Sequence, residues 1–328
     1  MAKIELLSEM PLSELDNSFL WNHQVQTNDL AIDGTFSTAR VPLFFNDDLI
    51  YSICSPSNLD ESFHRNGMCD ELLMVVRGSG RVGSAFGTLE YEPLDFIYIP
   101  RGCTVRLEEF VDDQLMIVME TTSPIGPPPR YVNLRGQLSY RGMYQERDIR
   151  LPHFDGPNDA VGAHTVNVKI GSHLTRHTLS SHPFDLVGWD GTLYPYALSM
   201  RSLAPMSGRL HALPDIYQVF ESTGVSINAI TPMRQPDHQE STSAQPDHTS
   251  DCDEIFHRLG RPNGNGFEPG LVTLHTRAAA HGASLALKDR PRREHTTGWG
   301  VLIDTIKPTR MARDASRGDI HNYQAAPS

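Results

Sequence analysis

Short apolar runs, each closed by glycine or proline, set the main limit on what this chain can fold into. Between residues 72 and 121 the runs are Leu72–Val76, Thr88–Tyr91, Phe96–Ile99 and Leu115–Thr121. Between them stand Arg77-Gly78-Ser79-Gly80, Glu92-Pro93-Leu94-Asp95 and Pro100-Arg101-Gly102. Gly and Pro interrupt every window long enough for a helix, and both are costly in a helix interior. Runs spaced roughly 8–12 residues apart with such punctuation predict the strands of a sandwich or barrel. β character returns at Thr165–Ile170 and in the aromatic stretch Val187–Leu198. It continues at Val225–Ile230, Ile255–Leu259, Leu271–Leu274, Ser284–Leu287 and Val301–Thr305. Both blocks read as strands, a His/acid loop, a strand ending at Gly, and more strands. Two copies of one β unit is the economical reading. The length of 328 residues exceeds one small core and fits two. The expected division is 1–150, 151–308 and a flexible tail over 309–328, with a Pro- and Arg-rich surface crossing near 122–150.

Charge and composition remove several functions. Lys+Arg is 28 and Asp+Glu is 40, which leaves −12. Nucleic-acid binding needs a concentrated basic face, and Arg290, Arg292 and Arg293 form only a small cluster. No apolar stretch approaches the ~18 residues of a membrane span. Met1 to Met10 lacks the charged region, apolar run and cleavage site of a secretory signal, so a cytoplasmic location is expected. Cys54, Cys69, Cys103 and Cys252 fall at irregular spacings without a CxxC pair, which predicts reduced thiols. Fifteen histidines direct attention to metal sites.

Two loops carry candidate ligands. The first runs from His64 to Asp70-Glu71, followed by Gly78, by Pro100-Arg101-Gly102 and, three residues past Gly102, by Val105. A barrel site takes His and Glu from one strand pair and a last His from the next. That last His falls at Val105, which cannot ligate, so this half is expected to be empty of metal. In the second loop His248 and Glu254 stand six apart; His275 follows Leu271–Leu274, and His281 lies six further on. Two imidazoles and a carboxylate can cover one face of an octahedron and leave the other open for O₂ and a bidentate substrate. That is the facial triad of non-haem Fe(II) oxygenases, and mixed N/O donors suit Fe(II) better than Ca²⁺ or Mg²⁺. On spacing alone the alternative stands equally: His248 an exposed loop residue, His281 a satisfied turn histidine. His238, also in a Pro-Asp-His context, competes with His248.

The segment His182-Pro183-Phe184-Asp185-Leu186-Val187-Gly188-Trp189-Asp190-Gly191-Thr192-Leu193-Tyr194-Pro195-Tyr196 closely resembles a signature of homogentisate 1,2-dioxygenases. Phe63–Asn66, Asp70-Glu71, Ile99–Gly102 and Val301–Thr305 also resemble that family, so the likeness runs from about 60 to 308. It implies an all-β chain of two cupin (jelly-roll-like) barrels and oxidative cleavage of a hydroquinone bearing an acetate side chain. It implies Fe(II) held by His248, Glu254 and His281, with His275 beside the iron or the substrate. It also implies self-association into trimers or hexamers. Two positions depart from the family pattern. Tyr217 stands where the family carries a His thought to act as base, and an unperturbed phenol is a poorer base at pH 7. Asn263 stands where some members place a substrate-contacting Tyr. These changes keep open a related substrate, such as an aminophenol or a specialised quinol. A metal-binding isomerase or non-oxidative binding protein is the further alternative. Arg258, Arg292 and Arg293 are candidate partners for a substrate carboxylate.

Overall fold

A computed structural model describes residues 3–9, 12–140, 142–154, 156–185, 193–204, 217–232, 249–260, 270–281 and 298–320. In chain order the strands are β1 (Lys3–Glu9), β2 (His23–Gln26), β3 (Arg40–Phe45), β4 (Leu49–Cys54), β5 (Phe63–Asn66), β6 (Asp70–Ser84) and β7 (Gly87–Tyr91). Then come β8 (Asp95–Ile99), β9 (Thr104–Thr121), β10 (Ile149–Arg150), β11 (Val161–Ile170), β12 (His173–Ser181) and β13 (Tyr196–Ser199). The last are β14 (Gln218–Ser222), β15 (Val225–Ile230), β16 (Asp253–Gly260), β17 (Leu271–His275), β18 (Trp299–Thr305) and β19 (Arg310–Met311). The helices among the described residues are short 3₁₀ turns, and none is long and apolar enough to cross a membrane. The fold is all-β, as the punctuation predicts.

The strands form two sheets. The larger runs β1-β12-β11-β5-β9-β6-β8-β13-β10, with β3, β4, β7 and β19 attached; the smaller runs β14-β15-β18-β16-β17-β2. Alternation on β6 sends Leu73 and Val75 into a barrel interior with Ile99, Val105, Met116 and Val118. Leu72 and Met74, on the other face, join a larger core with Ile255, Val272, Leu274, Val301 and Ile303 of the smaller sheet. That shared core seats the second sheet against the first.

Three expectations need correction. Arg77–Gly80 is not a turn: β6 continues through it to Ser84, with its register against β9 slipping near Arg77. Gly78 has φ +86°, and a Cβ there would lie 2.1 Å from Gln114 Nε2, so glycine serves a bulge inside the strand. The pairing also does not divide at residue 150. β11 joins β5 and β13 joins β8, so strands as late as Tyr196–Ser199 belong to the larger sheet, while β2 belongs to the smaller. Finally, 309–320 is not loose. β19 pairs β3, and Thr309, Met311 and Ala315 are buried. Residues 321–328 lie outside the described residues.

Candidate metal centre

The smaller sheet has one apolar and one polar face. Ile255 and His257 on β16 point into the shared core; Glu254 alternates to the other side. Pairing places Glu254 opposite His275 on β17 and opposite Asp304 on β18. One donor atom each from Glu254, His275 and His281 lies within 4.8 Å of the others. Glu254 Oε2 is 3.2 Å from His281 Nε2 and 3.8 Å from His275 Nδ1, and the two imidazoles stack at 4.3 Å. Burial pushes the Glu254 carboxyl up, but hydrogen bonds from His275 and His281 outweigh it and hold the group well below the usual carboxylate range. Burial lowers His275, against the pull of Glu254. An ionised carboxylate beside two imidazoles is the donor set a borderline divalent cation takes.

A clamp behind the carboxylate fixes its place. Asp253 is buried, and its Oδ1 accepts from both the backbone N–H and Nε of Arg277, each at 2.9 Å. Arg277 Nη2 donates to the Thr305 carbonyl, and Asp253 Oδ2 accepts from the Thr309 amide. The clamp thereby ties β16, the end of β18 and the residues after β17. The turn that delivers His281 is held from the N-terminal segment. Asn22 Oδ1 accepts from the Thr276 amide at 2.9 Å, and Asn22 Nδ2 donates to the Ala280 carbonyl at 3.2 Å. β2 adds itself beside β17, pairing His23 with Leu274.

Asp304 was not singled out by spacing. It forms a second close set with Cys252 and Glu254. Burial first, and then Glu254 and Asp251, raise its carboxyl to about 7, against a hydrogen bond from Asn228. Asn228 Nδ2 donates to Asp304 Oδ2 at 2.9 Å. Two carboxylates facing each other across a pair of strands repel unless a proton or a cation lies between them.

The other candidates fall as follows. His238, His248, Asn263, Arg292 and Arg293 lie outside the described residues. Tyr217 is buried immediately before β14, and burial raises its phenol. It sits three strands from β16 in the sheet order, about 14 Å along the sheet at the usual spacing. Arg258 lies over the Phe256 ring at 5.4 Å. The described ends of the His182–Tyr196 segment pack on the larger sheet. His182 meets Phe63 at 5.0 Å edge-on, and Tyr196 lies 5.0 Å from Tyr98. All four thiols are free.

The first half contains the same clamp. Asp70 Oδ1 accepts from the backbone N–H and Nε of Arg101, each at 3.0 Å; Arg101 Nη1 donates to the Thr122 carbonyl, and Asp70 Oδ2 accepts from the Ile125 amide. Asp70-Glu71 therefore matches Asp253-Glu254, and Arg101 matches Arg277. Four residues past each arginine stand Val105 and His281. Val105 pairs directly with His64. Both close donor sets among the described residues lie in the second half.

A duplicated β unit, with close donor sets for a metal among the described residues in the second copy, defines a cupin-type barrel protein with a candidate metal centre there. Residues 48–200 match the family described as homogentisate 1,2-dioxygenase N-terminal. A Saccharolobus solfataricus protein named "Putative dioxygenase SSO1533" is 30% identical over 312 residues, 92% of this chain and 80% of that protein. The chain belongs to the homogentisate 1,2-dioxygenase family and is a dioxygenase by that membership. Among solved structures, Ylba from E. coli is 7% identical with a TM-score of 0.40, covering 92% of this chain and 95% of its own. A cupin 2 conserved barrel domain protein from Leptotrichia buccalis is 10% identical with a TM-score of 0.36, covering 87% and 96%. The strand pairing, rather than these loose superpositions, defines the fold.

Proposed function

We propose that the protein is an Fe(II)-dependent, extradiol-type ring-cleaving dioxygenase acting on homogentisate or a related hydroquinone. The observation that carries this is the convergence of Glu254, His275 and His281 donor atoms within 4.8 Å on the polar face of the smaller sheet. Glu254 and His281 are assigned as ligands on that geometry, and His248 as the third on family resemblance. His275 stacks on His281 with its Nδ1 3.8 Å from Glu254 Oε2, and is assigned to hold or pass a proton there. When bound, the iron supplies a Lewis-acidic centre that brings a phenolic substrate and O₂ together. The Asp253–Arg277 clamp and Asn22 keep the donor groups in place before the metal arrives, so little ordering is left to binding. Tyr217 is assigned, on resemblance alone, to orient a substrate oxygen as a neutral phenol donating a hydrogen bond. Asn263 is assigned beside the substrate on resemblance alone. The family's trimeric or hexameric assembly is carried over as part of the same proposal.

The test is oxygen consumption by anaerobically Fe(II)-loaded protein against homogentisate, gentisate, unsubstituted hydroquinone and an aminophenol. Uptake matched to loss of the aromatic ring supports the reading, and the best substrate names the class. Bound iron with no uptake on any of them overturns it in favour of a non-oxidative metal protein. Glu254→Ala and His281→Ala are each expected to lose iron and keep the fold. Comparing His248→Ala with His275→Ala identifies the third ligand: the one whose loss empties the site.

A further inference from the structure

The first half holds a buried cation where the second half gathers its donor atoms. Arg40, on β3, has a side chain only 6% exposed. Its Nη1 donates to Glu71 Oε1 at 2.5 Å, and its Nη2 lies 3.3 Å from His64 Nε2. His64 Nε2 is in turn 3.1 Å from Glu71 Oε2. One guanidinium thus donates to a carboxylate and packs against an imidazole nitrogen that point at the same place; that nitrogen serves either Arg40 as acceptor or Glu71 as donor, according to its tautomer. The carboxylate is the counterpart of Glu254 through the shared Asp–Arg clamp. Arg40 is locked there by Nε donating to the Phe36 carbonyl at 3.1 Å and by the Phe36 ring 4.6 Å below it. His64 Nδ1 is buried without a hydrogen-bond partner among the described residues.

Charge follows the same logic. Pairing sets Glu71 against Ile99 and Glu120, as it sets Glu254 against His275 and Asp304. In the first half the two buried carboxylates meet two cations: Glu71 meets Arg40, and Glu120 is ion-paired to Lys169. Asn66 links them, donating to Glu120 Oε1 at 2.6 Å and Glu71 Oε1 at 3.3 Å. Removing one partner of such a buried network leaves an uncompensated charge. In the second half the corresponding pair is Glu254 and Asp304, and the proposed divalent ion would supply the same charge in one atom.

We infer that Arg40 is the resident cation of the first barrel, standing where a metal stands in the second, and that it conceals a latent divalent-cation site made by His64 and Glu71. The inference rests on the proposed metal in the second half, so the test is run with that site disabled by Glu254→Ala. Val105→His restores a third donor opposite His64 but leaves Arg40 in the way. Arg40→Ala together with Val105→His clears the position. Co(II) is titrated into the full-length chain, followed by its visible absorption, by bound metal per chain after gel filtration, and by the shift in melting temperature.

The expected result is no Co(II) retained by Glu254→Ala or by Glu254→Ala/Val105→His. One equivalent is expected in Glu254→Ala/Arg40→Ala/Val105→His, with a melting temperature that rises as metal is added. If the triple variant is unfolded alone, refolding upon Co(II) addition is the expected result. A further Glu71→Gln change abolishes the uptake. A triple variant that takes up no Co(II), folded or not, overturns the inference. Equal uptake by the variant that retains Arg40 overturns it as well. Retention of metal by the single Glu254→Ala variant refutes the second-half assignment instead, and so separates the two claims.

Discussion

His257→Gln isolates the contact that joins the two sheets, and its effect should depend on pH. His257 is fully buried on the core face of β16, and its Nδ1 is 2.9 Å from the Tyr51 hydroxyl on β4. Burial pushes Tyr51 well above its ordinary range, so the phenol stays protonated and donates to Nδ1. Burial alone lowers the His257 imidazole to about 3, from an ordinary 6.5. The folded state therefore refuses a proton that the unfolded chain accepts below pH 6.5. Stability tied to this residue is fully present above pH 6.5 and is lost as pH falls towards 3. At 1.36 kcal/mol per pH unit, the loss between pH 7 and pH 5 is about 2 kcal/mol. Gln keeps an acceptor for Tyr51 and cannot titrate. Urea unfolding of wild type and His257→Gln at pH 7 and pH 5 gives four free energies. Other titrating groups cancel in the difference of differences. The wild-type advantage should shrink by about 2 kcal/mol on going to pH 5. An unchanged gap at the two pH values would mean that His257 accepts its proton in the folded protein, and the burial argument would fail.

Three other perturbations separate fold from site. Arg277→Ala and Arg101→Ala each remove the outer arm of an equivalent clamp and should each cost about 1–3 kcal/mol by chemical unfolding; only Arg277→Ala should also weaken metal retention in a competition against a chelator. Asn22→Ala frees both ends of the turn that carries His281; a loss of about 1 kcal/mol and faster metal release are expected, and metal release at the wild-type rate would refute the pinning role. Gly270 has φ +99°, and a Cβ there would meet Thr27 Oγ1 at 2.7 Å; Gly270→Ala should lower stability by about 1–3 kcal/mol, which calorimetry reads as a lower melting temperature.

How much of this was legible beforehand depends on whether the signal was local. Strand positions were: Thr88–Tyr91 against Gly87–Tyr91 and Val225–Ile230 against the same bounds rest on turn residues a few positions away. The Gly78 bulge was misread because a glycine that relieves a close contact inside a strand leaves the same mark as one that turns the chain. The joins at the chain ends left no local trace. Nothing near His23 announces that it will lie beside Leu274, nor near Arg310 that it will pair with Phe45. The pairings of β11 with β5 and of β13 with β8 are equally non-local, and they are why the boundary at 150 does not match the pairing. The site divides in the same manner. Glu254, His275 and His281 are visible as residue types at suggestive spacings. Asp253, Arg277 and Asn22 are not, because they act by holding backbone amides and carbonyls that sequence does not single out.

The duplication changes how Val105 is understood. On sequence, a valine at the third ligand position was reason enough for an empty first site. The side-chain contacts add a second reason: Glu71 is already ion-paired to Arg40, so a metal there would have to displace a guanidinium that also donates to the Phe36 carbonyl. A missing ligand weakens metal binding by the affinity of one bond, whereas a resident cation competes for the same carboxylate and adds Coulomb repulsion in a medium of low dielectric. The two halves are thus two answers to one electrostatic problem, buried carboxylates facing each other across paired strands. The first half answers it with fixed side-chain cations, which gives rigidity and no open position. In the second half the described residues bring together two imidazoles and two carboxylates, and among those residues the ion-pair partners of Glu254 are the imidazoles themselves, so a proton or an exchangeable cation is what can relieve the repulsion there.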